Sequence, residues 1–168
     1  MNNSKVYILF SHPSEEADYF IICVTTDVNQ VLKECKDFEL DLEFEEDKGE
    51  VLTIELINSK KYIDFGYMDG ERYVLETLET TIPSNREMYA VLANGNEIYF
   101  WEAALKGLFP TKNEAVNSII LEISRDDNDE YKENDEYDIE QCRKMLTEYD
   151  RATDMDFTYW NIIKVKVE

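Results

Sequence analysis

Histidine, glycine and positive charge are all scarce in this chain. One His, five Gly and three Cys stand among 168 residues, with 17 Lys and Arg against 38 Asp and Glu. Each scarcity excludes something. The single His, His12, directly precedes Pro13 in a polar stretch, and no Ser or Cys at readable spacing joins it to make an activated nucleophile. Five Gly leave little material for a phosphate-cradling loop, and neither a Gly-x-Gly-x-x-Gly nor a Walker-type sequence occurs. Cys23, Cys35 and Cys142 are odd in number, widely spaced and without a Cys-x-x-Cys pair, so they read as buried free thiols. No stretch approaches the roughly 18 apolar residues of a membrane helix. The segment Met1 to Phe10 reads as a strand and not as a signal peptide, because no small-residue cleavage site follows it. A cytoplasmic protein that is not an enzyme and carries no cofactor or dedicated metal is the expectation.

Acid is what the chain has in excess. The balance 17 − 38 gives a net charge of −21 at pH 7. Charge of that size repels phosphate backbones and anionic lipid, which excludes direct binding to nucleic acid or membranes and makes basic protein surfaces the natural partners. The hydrophobic fraction of 43% and the 11 Tyr and 8 Phe supply enough apolar bulk for one compact domain or two small ones packed together.

The pattern along the chain predicts an α+β fold with antiparallel or mixed sheets and about three helices. Val6–Phe10 and Tyr19–Thr25 read as a strand hairpin, followed by a helix over 27–37 opened by a capping box at Asp27 and Gln30. Met88–Leu92, an Asn94-Gly95 turn, Ile98–Trp101 and a helix capped by Thr111 and Glu114 repeat that order. Each half therefore reads as a β-β-α unit, and the similarity suggests an internal duplication. Between them, Glu39–Glu45 and Val51–Ile57 read as strands, and Tyr62–Tyr67 and Arg72–Leu78 as a hairpin about Asp69-Gly70. Ile139 to about Arg151 has helical spacing and Tyr159–Val167 alternates as a closing strand. The division expected is an N-terminal β-β-α-β unit with a meander over 1–82 and a C-terminal β-β-α-α-β unit over 83–168.

Two acidic segments are the candidate partner-binding residues. Glu39, Asp41, Glu43 and Glu45 alternate with Leu40, Leu42 and Phe44, which on a strand places a carboxylate row on one face at a repeat of roughly 6.6 Å, of the same order as successive phosphates. The run 126–140 holds nine acids and one Lys, among them Asp126, Asp127, Asp129, Glu130, Glu133, Asp135, Glu136 and Asp138, and reads as an exposed acidic loop. Asp126, Asn128 and Glu130 fit the first positions of a calcium loop, but Tyr131 and Tyr137 stand where its Gly and closing Glu belong. Such a charge run is also what any solvated face looks like.

The function these features favour is an acidic inhibitor of DNA-mimic or anti-defence type. Its favoured form is a small, phage-encoded inhibitor that occupies the basic nucleic-acid-binding surface of a host nuclease, restriction enzyme or CRISPR effector. An immunity protein neutralising a basic toxin is the alternative, and an enzyme or small-ligand module is the third reading.

Overall fold

The structure is a computed structural model that describes residues 3–13, 19–40, 42, 51–68, 70–94, 104–126, 132–153 and 158–168. Of these, 12–13, 67–68, 94, 104, 125–126 and 132–138 are described by backbone alone. The described residues form two antiparallel four-stranded sheets and four helices, an α+β architecture. Two compact units result, one of Met1–Arg86 with Lys166–Glu168 and the other of Glu87–Val165.

In the first unit the order is β1 (Ser4–Pro13), β2 (Phe20–Thr25), α1 (Val28–Asp37), α2 (Ile54–Ser59), β3 (Tyr62–Met68) and β4 (Glu71–Thr80), and the sheet runs β2-β1-β4-β3. Central β1 pairs with β4 from Ser4↔Thr80 to Pro13↔Glu71, so Ser11, His12 and Pro13 belong to a strand and not to the hairpin loop expected for them. Val6, Tyr7, Ile8, Leu9 and Phe10 are all buried. A strand buried on both faces reads as an unbroken apolar run, which is how VYILF reads. On one face Tyr7 and Leu9 join Cys23, Ile63, Phe65 and Leu75 beneath Val31 and Cys35 of α1 and Ile57 of α2.

Three local expectations are corrected in this unit. Val51–Ile57 is not a strand: Thr53 caps α2 by accepting from the Leu56 N–H at 3.2 Å. A short apolar run fits either period, and here the cap decides for helix. Asp27 does cap α1, accepting from the Asn29 N–H at 2.9 Å. Gln30 does not return the bond of a capping box, because its carbonyl accepts from the Thr25 hydroxyl at 2.9 Å and its amide donates to the Glu168 carboxylate. Finally, Glu39 does not open a strand. The Leu40 N–H donates to the Cys35 carbonyl at 2.9 Å and the Glu39 N–H to Lys36 at 3.0 Å, with Glu39 at φ 56°. That is a Schellman stop with its left-handed residue filled by Glu, and Leu40 and Cys35 both enter the core behind it.

The second unit contains β5 (Glu87–Asn94), β6 (Ala104–Phe109), α3 (Lys112–Asp126), α4 (Lys132–Tyr149), β7 (Arg151–Thr153) and β8 (Tyr159–Lys166), in the sheet order β6-β5-β8-β7. Element for element this is the order of the first unit. The match extends to single residues. The first hairpin pairs Tyr7↔Thr25, Ile8↔Val24 and Leu9↔Cys23, then skips to Phe10↔Ile21 and leaves Ile22 as a bulge. The second pairs Tyr89↔Phe109, Ala90↔Leu108 and Val91↔Gly107, then skips to Leu92↔Leu105 and leaves Lys106. Two residues beyond each paired strand comes the helix cap, Asp27 or Thr111. At equal steps into the helices, Val31 and Cys35 match Ala115 and Ile119 as buried positions. The repeated unit is thus β-β-α-α-β-β, longer than the β-β-α read from sequence.

Lys106 and Gly107 interrupt the apolar run of β6, and no strand was expected over Ala104–Phe109. The expected strand Ile98–Trp101 and Gly95 of the preceding turn lie outside the described residues. The second core gathers Val91, Ala93, Ala115, Val116, Ile119, Ile120, Cys142, Leu146, Trp160 and Ile162.

Candidate functional site

The acidic residues singled out from sequence fall on three kinds of ground. Glu39 sits in the turn that closes α1, so the strand-borne carboxylate row does not begin where expected. Leu40 and Leu42 are buried, while Asp41, Glu43 and Glu45 lie outside the described residues. Asp126 is the last residue of α3, and Asp127, Asp129 and Glu130 again lie outside. Of the calcium-loop reading of 126–137, residues 127–131 lie outside as well, while 132–137 are helical.

Glu133, Asp135, Glu136 and Asp138 give the clearest correction. They belong to α4 and not to a loop. Acids near a helix N-terminus interact favourably with its dipole, and Glu and Lys are good helix formers, so a charged run without apolar periodicity still extends a helix that is anchored further along. The anchor is Cys142 and Leu146, both buried under the second sheet. Over 132–140 the helix carries Glu133, Asp135, Glu136, Asp138 and Glu140 against Lys132 alone. Helix positions three and four apart stand roughly 5–6 Å from each other.

Toward its C-terminus α4 turns outward at Met145 and Tyr149, which are 38% and 59% exposed. Arg143 holds the helix to α3 through the Asn117 side chain at 2.8 Å. Lys112 donates to the Thr147 carbonyl at 2.6 Å and pairs with Asp150. Acid and exposed aromatic surface thus share one helix.

Exposed ion pairs join Lys33 to Asp37, Lys106 to Glu122, Lys164 to Glu87 and Arg143 to Glu140 at 2.8–3.8 Å. Pairs of this kind contribute about 0–1 kcal/mol each. Their larger significance is arithmetical. If every Lys and Arg of the chain neutralised one acid, 38 − 17 leaves 21 carboxylates without a basic partner of their own.

One ion pair is buried and went unread in the sequence. Arg72 on β4 donates to the Asp64 carboxylate on β3, both side chains being under 5% exposed. Asp64 also accepts from the Gly66 N–H at 2.8 Å and the Tyr62 hydroxyl at 3.2 Å. Burial, then the Asp64 charge, pushes the Tyr62 hydroxyl well above its ordinary pKa. These bonds satisfy the carboxylate and fix the bulge at Phe65, between Asp64 and Gly66, a structural use of charge. The available signal was an Asp and an Arg flanking the Asp69-Gly70 turn.

Cys23, Cys35 and Cys142 are buried and free, and burial pushes the Cys23 thiol up to about 11 and the Cys35 thiol up to about 12. The backbone of His12 lies opposite Arg72 in the sheet. Among the described residues no three His, Cys, Asp or Glu side chains gather closely enough to hold a metal ion. No helix among them is long and apolar enough to cross a membrane. No known protein family matches the chain, and no curated protein or solved structure matches it either.

Proposed function

We propose that this chain is a binding protein that engages a basic surface of another protein, in the form of an inhibitor occupying a nucleic-acid-binding face in the cytoplasm. The observation that carries the reading is the surplus of 21 carboxylates that the chain's own cations cannot neutralise. Five of the acids fall within nine residues of α4. A nuclease or CRISPR effector presents Arg and Lys spaced for phosphates, and opposite charge both steers the encounter and selects the partner. Tyr149 and Met145 provide exposed apolar contact further along the same helix, and Tyr is among the residue types enriched in binding hot spots. Glu133, Asp135, Glu136 and Asp138 are the principal contacts. Asp126, Asp127, Asp129, Glu130 and the 39–45 acids are further candidates.

The test is capture of basic proteins on the immobilised chain with duplex DNA or RNA as competitor. The reading predicts partners released by nucleic acid and by rising salt. Capture that nucleic acid does not displace would favour the immunity-protein alternative, and absence of any salt-sensitive partner would end both.

A further inference from the structure

The repeat offers a comparison that composition does not. β2 and β6 are matched edge strands in matched sheets, yet they treat their outer edges differently. An open strand edge is a template for another chain, and proteins commonly blunt it with a Lys. β6 has that device, since its bulged residue is Lys106, held by Glu122 at 2.8 Å. At the matching bulge β2 carries Ile22, and its sequence FIICVT has no charge and no Pro. Phe20, at the start of β2, is 66% exposed.

The outward groups of β2 are already in use at one end. The Glu168 N–H donates to the Val24 carbonyl at 2.8 Å, and the Thr26 N–H donates to the Glu168 carbonyl at 3.1 Å. An extended segment therefore fits against this side of the strand. Among the described residues, no backbone group pairs with the outer side of Phe20–Ile22.

Resting on the reading above, we propose that the outer edge of β2 at Phe20–Ile22 receives an extended, Lys- or Arg-bearing segment of the basic partner as an added strand. Main-chain bonds supply the attachment and the surrounding charge selects the occupant. From Val6 to Leu32 the chain contains no Lys or Arg. Asp27, Glu34 and Glu168 stand about the far end of the strand, and the last two act electrostatically on Cys23. A second copy of the chain is disfavoured as occupant because two molecules of charge −21 repel.

The probe is a ten-residue peptide of alternating Lys and Val, capped at both ends, added to the full chain at low salt. Hydrogen exchange at the Phe20, Ile21 and Ile22 amides is followed by NMR. At least one of these amides is expected to slow tenfold or more. A peptide of the same charge with alternate backbone nitrogens methylated is expected to bind at least tenfold more weakly. Equal binding of the methylated peptide, protection confined to α4, or no binding at all overturns the strand addition. So does a dimer of the chain alone, seen by sedimentation, that protects the same amides. If nucleic-acid-displaceable capture persists while the peptide result fails, only this inference is lost; if capture fails too, the functional reading goes with it.

Discussion

The two units share an element order, a bulge position and a helix-cap position, yet they invest their polar residues differently. Among the described residues, the buried polar or charged side chains are Ser11, Thr25, Asp64 and Arg72, all in the first unit. Among its described residues the second unit buries none, and it carries the longer helices, with the acids of 132–140 on α4. One backbone plan thus supports either a sheet fixed by an internal ion pair or an apolar core that supports a charged helix. The comparison separates what the fold requires from what each copy has added: bulge, cap and buried helix positions recur, while the buried charge and the acidic helix do not.

The largest effect expected is on the first unit. Arg72→Ala strands the Asp64 charge in the sheet and should cost about 3–5 kcal/mol in urea unfolding. Replacing both Arg72 and Asp64 with Leu should recover much of that loss, and failure to recover it would show that the pair supplies net stability. In the second unit, Leu146→Ala should cost about 2–5 kcal/mol by opening a cavity under α4. A smaller loss than this would mean that α4 packs loosely. Thr111→Ala and Thr53→Ala each remove a helix cap and should cost about 1 kcal/mol. No effect at Thr53 would return 51–57 to the strand reading.

Alkaline pH sharpens the same contrast. A thiol whose folded pKa lies above its unfolded one leaves stability intact below the unfolded value and loses it as pH rises toward the folded one. For Cys23 the window runs from the ordinary 9.0 to about 11, and for Cys35 from 9.0 to about 12, burial being the first cause of both. The first unit should therefore weaken above pH 9, and replacing both residues with Ala should flatten that dependence. At pH 8 neither thiol should react with a thiol reagent until the chain is unfolded. The smallest change is expected at Glu39, where Gly accepts the left-handed turn without a Cβ. Glu39→Gly should raise stability by up to about 1 kcal/mol.

The parts of the fold legible in sequence were those where one physical signal spoke alone. VYILF and MYAVL announced central strands because burial on both faces leaves no room for polar alternation. Thr111 announced α3 as its cap, the Glu114 N–H reaching the Thr111 hydroxyl at 3.2 Å, although the Glu114 carboxylate accepts from that same hydroxyl at 2.8 Å instead of completing the capping box read there. Where two signals competed, the reading failed. The alternation at Glu39 and Leu40 coincided with a helix stop filled by Glu, which carries no glycine mark. VLTIELI suited both periods. β7 spans three residues, too few to show any period. Of the candidate site, the charge of 132–138 was plain but its helical backbone was not, because the apolar anchor that holds α4 begins only at Ile139 and Cys142.

The most direct measurement is the salt dependence of partner capture by the parent chain and by one α4 variant, Glu133→Gln, Asp135→Asn, Glu136→Gln and Asp138→Asn together. With helicity unchanged by circular dichroism, the variant should capture the basic partner at least tenfold more weakly and with a shallower salt slope. Capture of equal strength and equal slope would contradict the claim that the acids of α4 are what the partner recognises.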